Sequence, residues 1–259
     1  MLRFTNLGSG SAGNATVVEA RCGTQVSRVL IDCGLNLKAL DSRLARAGLA
    51  PDQIDAVFVT HEHADHIGSA RAFALRGRIA VWMSHGTHTA IGAPDFEGLL
   101  HIARNGVPID LGALLLEPFT VPHDAREPLQ LRCSDGAVRL GVLTDLGHAT
   151  PRVASALAGC AALLIECNHD PDMLAASRYP AFLKRRVGGL YGHLANTVGA
   201  EIARAVASGG RLGQVVAAHL SAQNNHPDLA RQALSMALGC SPADVGVADA
   251  TLGSDWRTV

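Results

Sequence analysis

The sequence predicts an α/β fold made of two β-sheets sandwiched between helices. Three observations carry that expectation. Short apolar runs bounded by Gly, Asp or Asn recur along the chain, the pattern of buried strands. Amphipathic stretches alternate with them; in 198–207, Val198, Ile202, Ala205 and Val206 share one helical face. No linker rich in Pro or Ser and no low-complexity segment interrupts the series, so residues 1–259 are expected to form one domain.

In chain order, 2–5, 15–20 and 28–31 read as an opening antiparallel set of strands. Strands at 54–60 and 79–83 follow, each entered from a helical stretch, around 37–47 and 67–75. The second half repeats the theme with strands at 114–121, 129–132, 138–144, 162–165, 215–219 and 245–248. Helices fit 153–157, 198–207 and 229–238. His85 and His88, one helical turn apart, read as exposed helix residues.

With 48% hydrophobic and 17% charged residues, the composition is globular and not disordered. A formal net charge of −1 provides no global basic field and leaves room only for a local basic patch. No apolar run approaches the roughly 18 residues that a membrane-spanning helix needs. The start, Met1-Leu2-Arg3-Phe4-Thr5-Asn6, lacks the basic, apolar and small-residue regions of a signal peptide. The six cysteines form no Cys-x-x-Cys pair and read as reduced, mostly buried thiols. The expectation is a cytoplasmic protein with no membrane association and no obligate protein partner.

The run Thr60-His61-Glu62-His63-Ala64-Asp65-His66 comes directly after the apolar run 54–59. A buried strand thus delivers four ligand-type side chains into one tight loop. His61 and His63, at i and i+2, can point the same way from extended backbone. One closed tetrahedral site cannot use all four ligands easily, so two adjacent ions are expected. His123, Asp145 and His219 each end a later apolar run. A lone histidine at a strand end is more often structural; three such placements beside the first cluster favour ligands.

The run 60–66, followed by His123, Asp145 and His219 in that order, resembles the metallo-β-lactamase-fold hydrolases. The resemblance implies a four-layer αββα sandwich with metals at one edge of the paired sheets. The blocks Gly8-Ser9-Gly10-Ser11-Ala12-Gly13-Asn14, Val121-Pro122-His123-Asp124-Ala125, Thr144-Asp145-Leu146-Gly147-His148, Glu166-Cys167-Asn168-His169-Asp170, Gly192-His193-Leu194-Ala195-Asn196 and His219-Leu220-Ser221-Ala222-Gln223-Asn224-Asn225 look like its WalJ/YycJ-type branch, bacterial proteins regarded as 5′-to-3′ DNA exonucleases. By position, it implies one metal held by His61, His63 and His123 and a second by Asp65, His66 and His219, with Asp145 bridging. Asp32 matches the family's aspartate that accepts the other ring proton of a ligand histidine. Glu166, His148 and His169 are expected to support the ligands by hydrogen bonds. Ala195 departs from the serine usual in the branch and leaves His193 intact.

Two divalent ions, zinc or manganese with iron as a further option, can stabilise the attacking and leaving oxygens of phosphoryl transfer. They can equally polarise a thioester or lactone carbonyl, so the ligands alone do not choose a substrate. Three features favour phosphodiesters, and the resemblance adds DNA as the substrate. Asp65 and the bridging Asp145 make a site suited to in-line displacement. His193 precedes a helix starting near 196, where Asn196 is a candidate cap and free N–H groups favour an anion. In the related ribonuclease Z proteins a histidine in this position contacts the scissile phosphate. Lys184-Arg185-Arg186 lies upstream, either a solvated loop or a track for a nucleic-acid backbone. The loop 8–14 leads into a strand and is not a nucleotide P-loop; its glycines serve a tight turn, or its amides, Ser11 and Asn14 line the cleft. Asp65, Asp145 and His193 are the expected catalytic residues of a phosphodiesterase acting on DNA ends. The competing reading is a small-molecule hydrolase of cyclic phosphodiesters, thioesters or lactones.

Overall fold

A computed structural model describes all residues, 1–259. The first half runs β1 (Leu2–Gly8), β2 (Ala15–Cys22), β3 (Gln25–Ile31), α1 (Leu37–Arg46), β4 (Ala56–Phe58), α2 (Ala64–Ile67), α3 (Ala70–Gly77), β5 (Ala80–Ser84), α4 (His85–Ala90) and β6 (Leu100–Ala103). The second half runs β7 (Ile109–Asp110), β8 (Leu115–Thr120), β9 (Leu129–Ser134), β10 (Arg139–Leu143), α5 (Pro151–Ala156), β11 (Ala162–Glu166), α6 (Pro171–Ala176), α7 (Ala181–Val187), α8 (Asn196–Ala207), β12 (Gln214–Ala218), α9 (Pro227–Leu238) and β13 (Gly246–Val247). The closing strand β14 (Arg257–Thr258) pairs back onto β1.

Two seven-stranded sheets result, ordered β14-β1-β2-β3-β4-β5-β6 and β13-β12-β11-β10-β9-β8-β7. β1, β2 and β3 are antiparallel neighbours, as expected for the opening set. β3 to β6 are parallel, and so are β10 to β13.

Alternation along each strand assembles the layers. Val18, Val29, Phe58, Val142 and Leu164 point between the sheets. Their neighbours Val17, Leu30 and Val57 face outward and pack on Leu40 and Leu44 of α1 and Phe73 of α3. On the far side Leu163, Ile165 and Ala217 meet Val153 of α5, Ile202 and Val206 of α8 and Leu234 of α9. This is the four-layer αββα sandwich. Phe58, fully buried between the sheets, is worth about 3–5 kcal/mol against truncation to alanine.

Several boundaries differ from the sequence expectation for identifiable reasons. The strand expected at 54–60 is only Ala56–Phe58, because the Thr60 amide donates to Asp32 Oδ1 at 2.8 Å and not to a neighbouring strand. The helix expected at 67–75 splits into α2 and α3 at Gly68, where φ is 28°. α5 and α9 start two residues earlier than expected, at prolines preceded by the capping side chains of Thr150 and His226. β6, β7, β14, α6 and α7 carry too little periodicity to have been expected, whereas α4 is the helix on which His85 and His88 were placed. His88 is half-buried, its Nε2 3.0 Å from the Pro94 carbonyl, so only His85 of that pair is exposed. Four cysteines are buried and two, Cys22 and Cys240, are exposed; all are free. No helix is long and apolar enough to cross a membrane.

Candidate metal centre

The site lies at one edge, where strands of both sheets end. Asp32 follows β3, the loop 60–66 follows β4, Asp145 follows β10, Glu166 ends β11 and His219 follows β12. Within each sheet these strands are parallel, so their carboxyl ends open on the same side, the usual crevice of α/β sheets. Three of the strand-end residues turn in the left-handed region: Asp32 at φ 61°, Asp145 at 54° and His219 at 55°. Such backbone costs a non-glycine residue about 1–3 kcal/mol and gathers at functional sites. Here it ends each strand while aiming the side chain into the cleft.

The first ligand loop is pinned from behind. Asn14 N donates to Asp65 O and Cys33 N to His66 O, both at 2.8 Å. Gly34 passes so close that a Cβ would stand 1.8 Å from the Asp65 carbonyl oxygen, so no larger residue fits. His63 is the N-cap residue of α2, which carries Asp65 and His66.

Ligand atoms of His61, His63 and His123 lie within 4.8 Å of one another, and so do those of Asp65, His66 and His219. A third such group, His61, His66 and Asp145, joins the two. The surrounding hydrogen bonds orient the rings. His66 Nδ1 is 2.7 Å from Asp32 Oδ2, and His123 Nδ1 donates to the Gly192 carbonyl at 2.9 Å. Each bond leaves Nε2 for the cleft. Two atoms there are buried without a hydrogen-bonding partner: His61 Nε2 and Asp145 Oδ2. Asp145 Oδ2 is 2.6 Å from His66 Nε2 but not aligned with it for a hydrogen bond. Orphaned lone pairs converging with imidazole nitrogens and carboxylates fit a cation. The cluster is a divalent-metal centre.

The charges in the metal-free protein carry the same message. Burial and the neighbouring His66 push His61 well below the ordinary imidazole value, which keeps it neutral, the form that can bind a cation. Burial opposes protonation of His66, yet Asp145 and Asp32 raise it well above that value. Against the same burial, Asp145 and Asp65 lift His219 to about 9, and Glu166 and Asp145 lift His193 to about 11. Asp145 itself, buried among these rings, is held well below the carboxylate range by His219 and His66. The carboxylates therefore draw protons onto histidines where bound cations would otherwise supply the positive charge.

The supporting residues sort out unevenly. Glu166, fully buried, is the junction: Oε2 accepts from Leu146 N at 2.8 Å and Leu194 N at 3.2 Å, while Oε1 meets His193 Nδ1 at 2.8 Å and His219 Nδ1 at 3.2 Å. Asn14 reaches the centre, its Nδ2 3.3 Å from Asp65 Oδ2, whereas Ser11 is exposed. His148 bonds the Leu190 carbonyl and no ligand. The His169 side chain supports no ligand either, and its Nδ1 is unpartnered; its carbonyl accepts from Asn196 N at 2.9 Å. That bond occupies one amide expected to be free for an anion. Asn196 is also not the cap: Ala195 is, and the Asn196 side chain pairs with Asn225. Lys184-Arg185-Arg186 belongs to a helix, α7, and not to a loop.

Three contributors were not expected. Ser9 Oγ accepts from His219 N at 2.6 Å, and Thr60 Oγ1 bridges Asp32 and His61 Nδ1. Asp124 Oδ1 lies 3.4 Å from His123 Nε2 and 3.7 Å from His63 Nε2, while its Oδ2 binds Arg186 at 2.7 Å. Its place directly after His123 was the available signal.

A fold of two such sheets with this ligand edge defines a class, and the chain belongs to the metallo-beta-lactamase superfamily, whose profile matches residues 8–151. It is 32% identical over 250 residues to the exodeoxyribonuclease WalJ of Streptococcus pneumoniae serotype 2, covering 95% of this chain and 90% of that protein. It is also 32% identical over 249 residues to the exodeoxyribonuclease YycJ of Bacillus anthracis, covering 92% and 89%. The crystal structure of YhfI from Bacillus subtilis, at 15% identity and TM-score 0.74, covers 99% of this chain and 98% of that one. The protein is a metal-dependent hydrolase of this superfamily.

Proposed function

We propose that the chain is a dinuclear phosphodiesterase of the cytoplasm that removes nucleotides from DNA ends in the 5′-to-3′ direction. The observation that carries this reading is His193. Its Nδ1 is held by Glu166 Oε1 at 2.8 Å and Asp145 Oδ1 at 3.0 Å, and its side chain is 24% exposed at the mouth of the cleft. Its ring centroid is 5.3 Å from both His123 and His219, one from each ligand set. An imidazole anchored through Nδ1 between the two sets can present Nε2 to a leaving oxygen. The two relatives called exodeoxyribonucleases support the choice of substrate.

Two bound ions, zinc, manganese or iron, would be held by His61, His63 and His123, by Asp65, His66 and His219, and by Asp145 between them. When bound they supply Lewis-acid activation of water and charge to offset a phosphoryl transition state. The chain's own groups do the rest. Water attacks phosphorus and the P–O3′ bond breaks. The departing 3′-oxygen takes the His193 proton, and the proton of the attacking water passes to a carboxylate at the cleft. Asp65, with 23% of its side chain exposed, is placed to receive it.

End-labelled DNA with added manganese tests the reading, with His193→Ala as the variant. General acid catalysis is worth about a hundred- to ten-thousandfold, and a loss of that order is expected with the metal content intact. The loss should shrink on a nitrophenyl phosphodiester, whose phenolate leaves without a proton. Wild-type protein that cuts no DNA under any divalent metal, yet hydrolyses small diesters, would replace this reading by the small-molecule one.

A further inference from the structure

Seven large hydrophobic side chains lie exposed, and three of them, Phe182, Leu190 and Tyr191, fall within ten residues just before His193. Phe182 and Tyr191, 65% and 61% exposed, are the only aromatic residues of the chain in the exposed class. α7, which carries Phe182, has no fully buried residue. The same segment holds Lys184, Arg185 and Arg186, and Arg178 lies just before it. Lys184 donates to the Ala175 carbonyl and Arg186 pairs with Asp124, while the exposed Arg178 and Arg185 make no ion pair.

This exposure is not looseness. The Leu190 carbonyl meets His148 Nδ1 at 2.8 Å, the Tyr191 carbonyl accepts from Asp124 N at 2.9 Å and the Val187 carbonyl from His193 N at 2.8 Å. A Cβ on Gly192 would stand 2.1 Å from the Arg186 carbonyl oxygen, so the chain must double back tightly here. The neighbouring Gly192 carbonyl orients the metal ligand His123. One rigid turn therefore fixes Tyr191 and His123 relative to each other. A cleft of about 250 Å³ lies against this turn, lined by Tyr191, Leu190, Arg185, Arg186 and Asp124. Rigidly presented aromatic faces among unpaired arginines form the surface that single strands use, with bases stacking on rings and phosphates tracking cations.

We propose that α7 and the turn 188–192 form the seat for a single-stranded DNA end. A base next to the scissile phosphate stacks on Tyr191, and Arg185 holds the phosphate beyond it. The inference rests on the nuclease reading and adds where the unpaired or frayed strand of a DNA end is held.

The test compares Tyr191→Ala, Tyr191→Phe and Arg185→Ala with wild type, measuring kcat/KM on a single-stranded oligonucleotide and on a nitrophenyl phosphodiester. Tyr191→Ala should lower the ratio of DNA to small-diester turnover by about ten- to a hundredfold, the range of one base stacking on one ring. Tyr191→Phe, which keeps the ring, should restore it to within about threefold. Arg185→Ala should reduce the slope of log affinity against log salt by about 0.7, one phosphate contact to a single strand. A blunt duplex, whose end bases are already stacked, should lose less. Equal losses on both substrates, or equal losses on single strand and blunt duplex, would overturn the seat while leaving the nuclease reading intact. Wild type that cuts a duplex end but neither cuts nor binds single strands would overturn the seat alone; wild type that cuts no DNA would remove both.

Discussion

Two buried clusters of charge, one within the first sheet and one at the edge that both sheets share, are built on opposite plans. Glu19 on β2 is fully buried and faces Arg3 of β1 and Arg28 of β3 directly across the strands. Arg3 and Arg21 reach Oε1 at 2.7 and 2.6 Å, and Arg28 reaches Oε2 at 2.7 Å. Burial opposes its charge, but the three guanidiniums hold the carboxyl down at about 2. Nothing in this knot is left over. At the metal edge, Asp145 and His61 each keep a buried atom that the protein does not satisfy, and the backbone beneath Asp145 is strained. A cluster closed on itself is structural. One left open, at a cost to stability, is waiting for a ligand.

The comparison can be broken most forcefully at Asp145. Asp145→Asn keeps the volume but removes the charge shared between ligand sets, and turnover should fall at least about a thousandfold, several kcal/mol of lost charge stabilisation. Metal content measured beside turnover decides the outcome: if both stay near wild type, Asp145 is not a ligand. Glu166→Gln should cost less, about ten- to a hundredfold in metal affinity or turnover, since it only orients His193 and His219. An intact enzyme with this variant would mean that Leu146 and Leu194 alone hold the geometry.

Glu19→Gln should leave metal content and turnover as they are and lower stability by about 2 kcal/mol. Breaking a buried ion pair usually costs about 3–5, discounted here because the arginines are 14–43% exposed and can reach water. The knot's contribution also has a pH signature. Its carboxyl is lowered from 4.5 to about 2, so the stabilisation is complete above 4.5 and lost as pH falls through 2. The gap in unfolding free energy between wild type and Glu19→Gln should therefore narrow across that window. A constant gap would mean that packing, and not charge, holds the knot.

Much of the molecule is legible in its sequence because local periodicity reports which face of an element is buried. The strand-end positions of His61, His123, Asp145 and His219 follow from where apolar runs stop. The pattern also places the opening antiparallel strands and the two long helices α8 and α9. It fails where an element fully buries no residue: α7 offers only the half-buried Leu183 and Val187, too little to mark its role beside the cleft. It also fails where one side chain changes the ladder, as Asp32 does when it takes the Thr60 amide and ends β4 early.

The ligand types and their loop are thus properties of the sequence alone, since they depend on spacing within a few residues of a strand end. Which group orients which is a property of the tertiary structure. Ser9 reaches His219 across 210 positions, Asp65 lies near His219 across 154 and the Gly192 carbonyl sets His123 across 69. The first two contacts exist only because two sheets stack with their carboxyl edges together, and the third because the turn after α7 folds back over the end of β8. That stacking is set by the summed burial of their inner faces, which no short stretch of sequence contains.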